Sequence, residues 1–77
     1  MYYDEIESVK VVQFRKSDAR PVTWLVEVYR KGDHFPFYLT GFIHGDCHYH
    51  RAKCWARAYT IKTAMKYAEF LRKRGTM

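Results

Sequence analysis

Long apolar runs are missing from this sequence. Nothing in its 77 residues approaches the roughly 20 apolar residues that carry a helix across a bilayer, so no membrane span is expected. The opening MYYDEIES is acidic and lacks the basic and apolar regions of a secretory signal, which points to a cytoplasmic protein. Cysteine is scarce: in that compartment the two cysteines are free thiols or metal ligands rather than a disulfide. There is no glycine-rich phosphate-cradling loop and no nucleophile elbow. No carboxylate pair stands in an obvious cleft, and so short a chain has little room for a pocket. Cys47–His48 and Cys54–His50 are the nearest approach to a nucleophile pair; we expect no enzyme. Repeats, low-complexity tracts and linkers are also missing, so residues 1–77 form one domain.

Acid is scarce in one half only. Residues 1–46 hold six Lys/Arg against seven Asp/Glu, a net of −1; residues 47–77 hold eight Lys/Arg against Glu69 alone, a net of +7. Such asymmetry makes a one-sided field that attracts polyanions or an acidic protein surface. A solubilising basic face is the bland alternative. Aromatic residues make up 18% of the chain, seven of them Tyr. That exceeds what one small core can hold, so some face outward or enter an interface. A chain this short buries only about 60–65% of the surface it exposes when unfolded, and homodimerisation would help it.

The stretch Cys47–Arg74 organises the rest. Ile61, Ala64, Met65, Ala68 and Leu71 recur at helical spacing and predict one buried face. Thr60 can cap the first turn, Lys66, Arg72, Lys73 and Arg74 suit the C-terminal dipole, and Gly75 supplies the stop. Ala64 and Ala68 let the helix lie close to a sheet, with Tyr67 and Phe70 covering the edges of the stripe. Before the helix, residues 49–57 alternate with period two. His50, Ala52, Cys54 and Ala56 then face the helix, and Tyr49, Arg51, Lys53, Trp55 and Arg57 face outward. The reverse register would bury three cations.

Upstream, Ser8–Arg15, Thr23–Arg30 and Phe37–Ile43 read as strands. Lys16–Pro21, Gly32-Asp33 and Gly45-Asp46 are turn material. In the second strand, Trp24, Val26 and Val28 are assigned to the core and Leu25, Glu27 and Tyr29 to the outside. In the first, Val9 and Val11 compete with Val12 and Phe14 for the core. In the third, Phe37, Leu39 and Ile43 compete with Tyr38 and Phe42. Pro36 marks the start of that strand, and Gly41 suggests a bulge or a close contact. The expected architecture is α+β, an antiparallel meander of three to four strands packed on one C-terminal amphipathic helix.

Two constellations carry chemistry. His44, Cys47, His50 and Cys54 stand in an H-x2-C-x2-H-x3-C pattern, and with His48 they gather five of the six Cys and His residues into eleven positions. Zinc is the one cofactor this suggests, as a staple for a small domain. Against it, a strand sends Cys47 and His50 to opposite faces, and a His-rich hairpin around a buried Cys54 is the simpler reading. The second constellation is Tyr49, Arg51, Lys53, Trp55 and Arg57, cations to neutralise phosphate and aromatics to stack on bases. Lys62, Lys66, Arg72, Lys73 and Arg74 add nonspecific attraction.

Strands followed by Ala58-Tyr59-Thr60 and the helix pattern T-x-x-x-A-x-x-x-A resemble the end of three-stranded-sheet-plus-helix DNA-binding domains. These include the plant ethylene-response type and the arm-binding domains of phage-type integrases. The likeness covers residues 23–74. It implies that Arg51, Lys53, Trp55 and Arg57 face the DNA major groove. The Gly-bearing strand pattern of those families is missing, and the His/Cys cluster has no counterpart in them. The same helix pattern is similar to that of small phage-encoded inhibitors. The expected partner is therefore nucleic acid or, alternatively, a host protein or nucleic-acid-handling complex such as CRISPR or polymerase machinery.

Overall fold

β-Branched and aromatic side chains carry the first half of the chain into strands. A computed structural model describes residues 5–14, 22–43 and 46–75. It shows β1 (Ile6–Phe14), β2 (Thr23–Arg30), β3 (Phe37–Ile43) and β4 (Asp46–His50), then a 3-10 turn (Lys53–Trp55) and helix α1 (Ile61–Gly75). The strands form one antiparallel sheet in the order β1-β2-β3-β4, and α1 packs on one face of it. The expected α+β meander is the fold observed. The Lys16–Pro21 turn, and His44 with Gly45, lie outside the described residues.

The β1–β2 ladder settles the register of β1. It pairs Val9 with Val28, Val11 with Val26 and Gln13 with Trp24. Val9, Val26 and Val28 are buried in the cluster beneath the helix, with Val11 and Trp24 packed against it. Val12 and Phe14 share the opposite face with Leu25. In β3 the competition has no single winner, because the pairing with β4 slips between Leu39 and Gly41. That irregularity brings both Leu39 and Phe42 to the helix side: Leu39 is fully buried, and Phe42 stacks on Tyr67 of α1 at 5.9 Å. Between β2 and β3, Gly32 adopts a positive φ of 83°, and the Asp33 amide donates to the Arg30 carbonyl at 3.1 Å. This is the turn that Gly32-Asp33 predicts.

Ala64, Ala68 and Leu71 are fully buried, as the helical spacing requires. Burying a Leu side chain contributes about 1.5–3 kcal/mol. The other two members of the predicted stripe are not in the core: Ile61 is 45% exposed and Met65 49%. Tyr67 displaces them. Its ring meets Tyr59 edge-on at 5.2 Å and Phe42 face-on at 5.9 Å. Those contacts roll the helix toward Tyr67 and leave the Ile61–Met65 flank in solvent.

A larger correction concerns residues 49–57. The strand ends at His50, and the chain then turns through Lys53–Trp55. Local hydrogen bonds replace the ladder: Ala52 N–H donates to His50 Nδ1 at 2.9 Å, Trp55 N–H to the Ala52 carbonyl at 3.1 Å, and Ala56 N–H to the Lys53 carbonyl at 3.0 Å. The small residues Ala52, Cys54 and Ala56 therefore do not line the underside of α1, and Cys54 is exposed. After the turn, Arg57 N–H donates to the Leu39 carbonyl at 3.1 Å, and Tyr59 bridges to Trp24 of β2. The β2–β3 ladder is short, Glu27 with Tyr38 and Val28 with Phe37. Residues 57–59 thus pair with β2 and β3 where those two strands do not pair with each other.

Candidate functional site

Because the strand stops at His50, the five residues Tyr49, Arg51, Lys53, Trp55 and Arg57 do not share one surface. Tyr49 lies opposite Leu39 and packs against the helix-side core, together with Cys47. The outward face predicted for it is corrected: the period-two pattern holds through β4 with the opposite sense.

Arg51 is held at the end of the sheet. Its Nη1 donates to the Phe35 carbonyl at 2.6 Å, its Nη2 to Asp33 Oδ2 at 2.8 Å, and its guanidinium lies 4.0 Å from the centre of the Phe37 ring. Asp33 also accepts from Arg30 Nε at 2.9 Å. These bonds, led by the one from Arg30, hold the Asp33 carboxyl below its ordinary range against an opposing desolvation. Arg51 is thereby a clamp on the β2–β3 turn, although its side chain keeps 42% of its exposure.

Lys53 and Trp55 belong to the sheet face that α1 leaves uncovered. That face is fixed by a row running across the four strands: Lys10 opposite Glu27, Glu27 opposite Tyr38, and Tyr38 opposite His50. The Trp55 indole, 66% exposed, meets the His50 imidazole at 5.6 Å with a 35° tilt. Lys53 Nζ reaches to 5.7 Å from the Phe14 ring, and Lys10 Nζ to 5.2 Å from the Tyr29 ring. Burial, followed by the charge and hydrogen bond of Glu27, pushes the Tyr38 phenol up, so it stays neutral at physiological pH. The uncovered face therefore carries aromatic rings and lysines around the Glu27 carboxylate.

Arg57 faces the other way. With Phe42, Tyr59, Thr60, Thr63 and Tyr67 it lines a groove of about 430 Å³ at the start of α1. Thr60 caps the helix, its Oγ1 accepting the Thr63 N–H at 3.3 Å and donating to Thr63 Oγ1 at 3.0 Å. Lys62 and Lys66 are exposed on the first turns. Among the described residues, Arg57, Lys62 and Lys66 form no ion pair. The cations at the far end of the helix are engaged differently. Arg72 donates to the Val9 carbonyl from Nε at 3.2 Å and from Nη2 at 2.7 Å. Lys73 pairs with Glu69 at 3.3 Å, and Arg74 lies 4.8 Å over Phe70. Of the ten residues singled out for binding, the structure places Lys53 and Trp55 together in the turn over the open face; Arg57 lines the groove at the start of α1, and Lys62 and Lys66 are exposed on the helix.

Among the described residues, the candidate metal ligands do not converge. Cys47 lies on the helix side of β4 and His50 on the open side, as alternation requires. Cys54 is exposed in the 3-10 turn, and His44 lies outside the described residues. A tetrahedral site using both Cys47 and His50 does not fit this arrangement.

Sequence reasoning missed His50 as the neighbour of Trp55, and Tyr38 and Lys10 as members of the same open face. Alternation in β2 already turned Glu27 and Tyr29 outward; the cross-strand register that adds the other three was not legible. No helix among the described residues is long and apolar enough to cross a membrane. No family model, curated protein or solved structure matches this chain, so the likeness to sheet-plus-helix DNA-binding domains rests on element order and helix pattern alone.

Proposed function

We propose that this chain is a small, non-enzymatic nucleic-acid-binding module. The observation that carries the reading is the sheet face left open by α1, where the exposed Trp55 ring stands beside His50, Tyr38 lies across from His50 on β3, and Lys10 and Lys53 share the face. Flat rings supply stacking surface, and cations neutralise phosphate and release counterions. Arg57, Lys62 and Lys66, unpaired with acid among the described residues, continue the positive field around the start of the helix. Only Ala56 separates Trp55 from Arg57, so the connector links the two surfaces.

Fluorescence anisotropy of labelled oligonucleotides tests this. The double charge reversal Lys62→Glu, Lys66→Glu should weaken binding at least ten-fold while leaving the melting temperature within a few degrees, since both side chains are exposed. Unchanged affinity would remove the helix from the interface.

The exposed Ile61 and Met65 pair favours a second reading, an inhibitor or adaptor that docks α1 on a host protein. In that case bare oligonucleotide should not bind at physiological salt, and Met65→Glu should abolish capture of a protein that survives nuclease treatment.

A further inference from the structure

We infer that the open sheet face takes unpaired nucleobases, and so single-stranded nucleic acid in preference to duplex, with Trp55 as the stacking platform and His50 and Tyr38 as its continuation. This rests on the nucleic-acid reading above and narrows it to one substrate class.

The geometry argues for a platform built in advance. Trp55 N–H and Ala56 N–H are both used inside the 3-10 turn, at 3.1 and 3.0 Å, which fixes the backbone that carries the indole. The His50 ring is held by the Ala52 N–H, which donates to Nδ1 at 2.9 Å. The two rings are 5.6 Å apart and tilted by 35°, so the indole leans on His50 without being covered by it. Tyr38 stands directly across from His50 on the neighbouring strand, roughly 4.8 Å away in the sheet. Leaving an indole two-thirds in water is unfavourable unless something covers it, and a base covers one face of it with a matching plane.

Shape selects the single strand. A duplex hides the faces of its bases between neighbours and presents only edges in its grooves. An exposed indole on a sheet surface has nothing to stack on there. An unpaired base offers its π-face to Trp55, while Lys53 on the same turn stands within reach of a flanking phosphate. Both RNA and DNA single strands present this chemistry.

The test uses the full chain with four labelled probes: a 12-nucleotide single strand and its blunt duplex, each as DNA and as RNA. Wild type should bind the single strands at least ten-fold more tightly than the duplexes and lose tryptophan fluorescence on doing so. Trp55→Ala should cost roughly five-fold or more on single strands and little on duplexes, Trp55→Phe should restore part of the loss, and neither should shift the melting temperature. Equal affinity for single strand and duplex, with Trp55→Ala silent, would overturn this inference and leave the nucleic-acid reading standing. Failure to bind any probe would overturn both. Trp55-dependent retention of a protein after nuclease treatment, with no oligonucleotide binding, would assign the platform to a protein surface and likewise overturn it.

Discussion

Tyr59 and Trp24 exchange both of their backbone hydrogen bonds: each N–H donates to the other's carbonyl at 2.8 Å. This one bridge stitches the connector into β2 at the end where β3 has left it. It also places Tyr59 under Tyr67, in the core. The connector is therefore fixed just after the turn, by Arg57 on Leu39 and by Tyr59 on Trp24, and the turn's own hydrogen bonds hold the backbone at Trp55.

Native-state hydrogen exchange should report that stitching. The Tyr59 amide should exchange as slowly as Val26 or Val28 in the core strand, because opening it requires parting β2 from the connector. An amide at Tyr59 that exchanges as fast as those of the exposed β2–β3 turn would contradict the bridge.

The roll of α1 makes a second, sharp contrast. Leu71→Ala removes a fully buried side chain and should cost about 2–5 kcal/mol in urea unfolding. Ile61→Ala removes a side chain that is 45% exposed and should cost about 0.5 kcal/mol or less. Comparable losses for the two would restore the stripe read from helical spacing.

Asp33 gives the chain an acid-sensitive element. Its folded-state pKa is depressed, first by the hydrogen bond from Arg30 and then, against desolvation, by that from Arg51. A depressed carboxyl adds stability above its unfolded pKa and loses it as pH falls through the folded one. Asp33→Ala should therefore melt below wild type at neutral pH, and the two curves should converge in the acid range as wild-type Asp33 takes up its proton. A gap that persists unchanged into acid would show that the ion pair adds nothing.

The fold was legible where one rule acts alone. The bounds of β2 and β3, the Gly32-Asp33 turn and the start of α1 at Ile61 follow from alternation, turn chemistry and helical spacing, and the structure places them there. Where two rules compete, sequence reasoning went astray. Ala52, Cys54 and Ala56 alternate like a strand by composition, yet the His50 imidazole and the local carbonyls offer the backbone a tighter turn. Met65 fits the helical stripe as well as Tyr67 does, and only the positions of Tyr59 and Phe42 decide between them. Parity with Glu27 turns Leu25 outward, and it does face away from α1. It is nevertheless 1% exposed, on a face that carries Phe14 and the approach of Lys53. For the site, the residue types were readable and their distribution over two surfaces was not, because that depends on where the connector turns.

Exposed cations around the connector should meet phosphate when nucleic acid binds. The salt dependence of binding to a labelled single strand, compared between wild type and Arg57→Ala, tests it most directly. Wild type should show log affinity falling linearly with log salt, about 0.7 per phosphate neutralised, and Arg57→Ala should lower that slope by about 0.7. Binding that is flat across the salt range, or a slope that Arg57→Ala leaves untouched, would contradict the account.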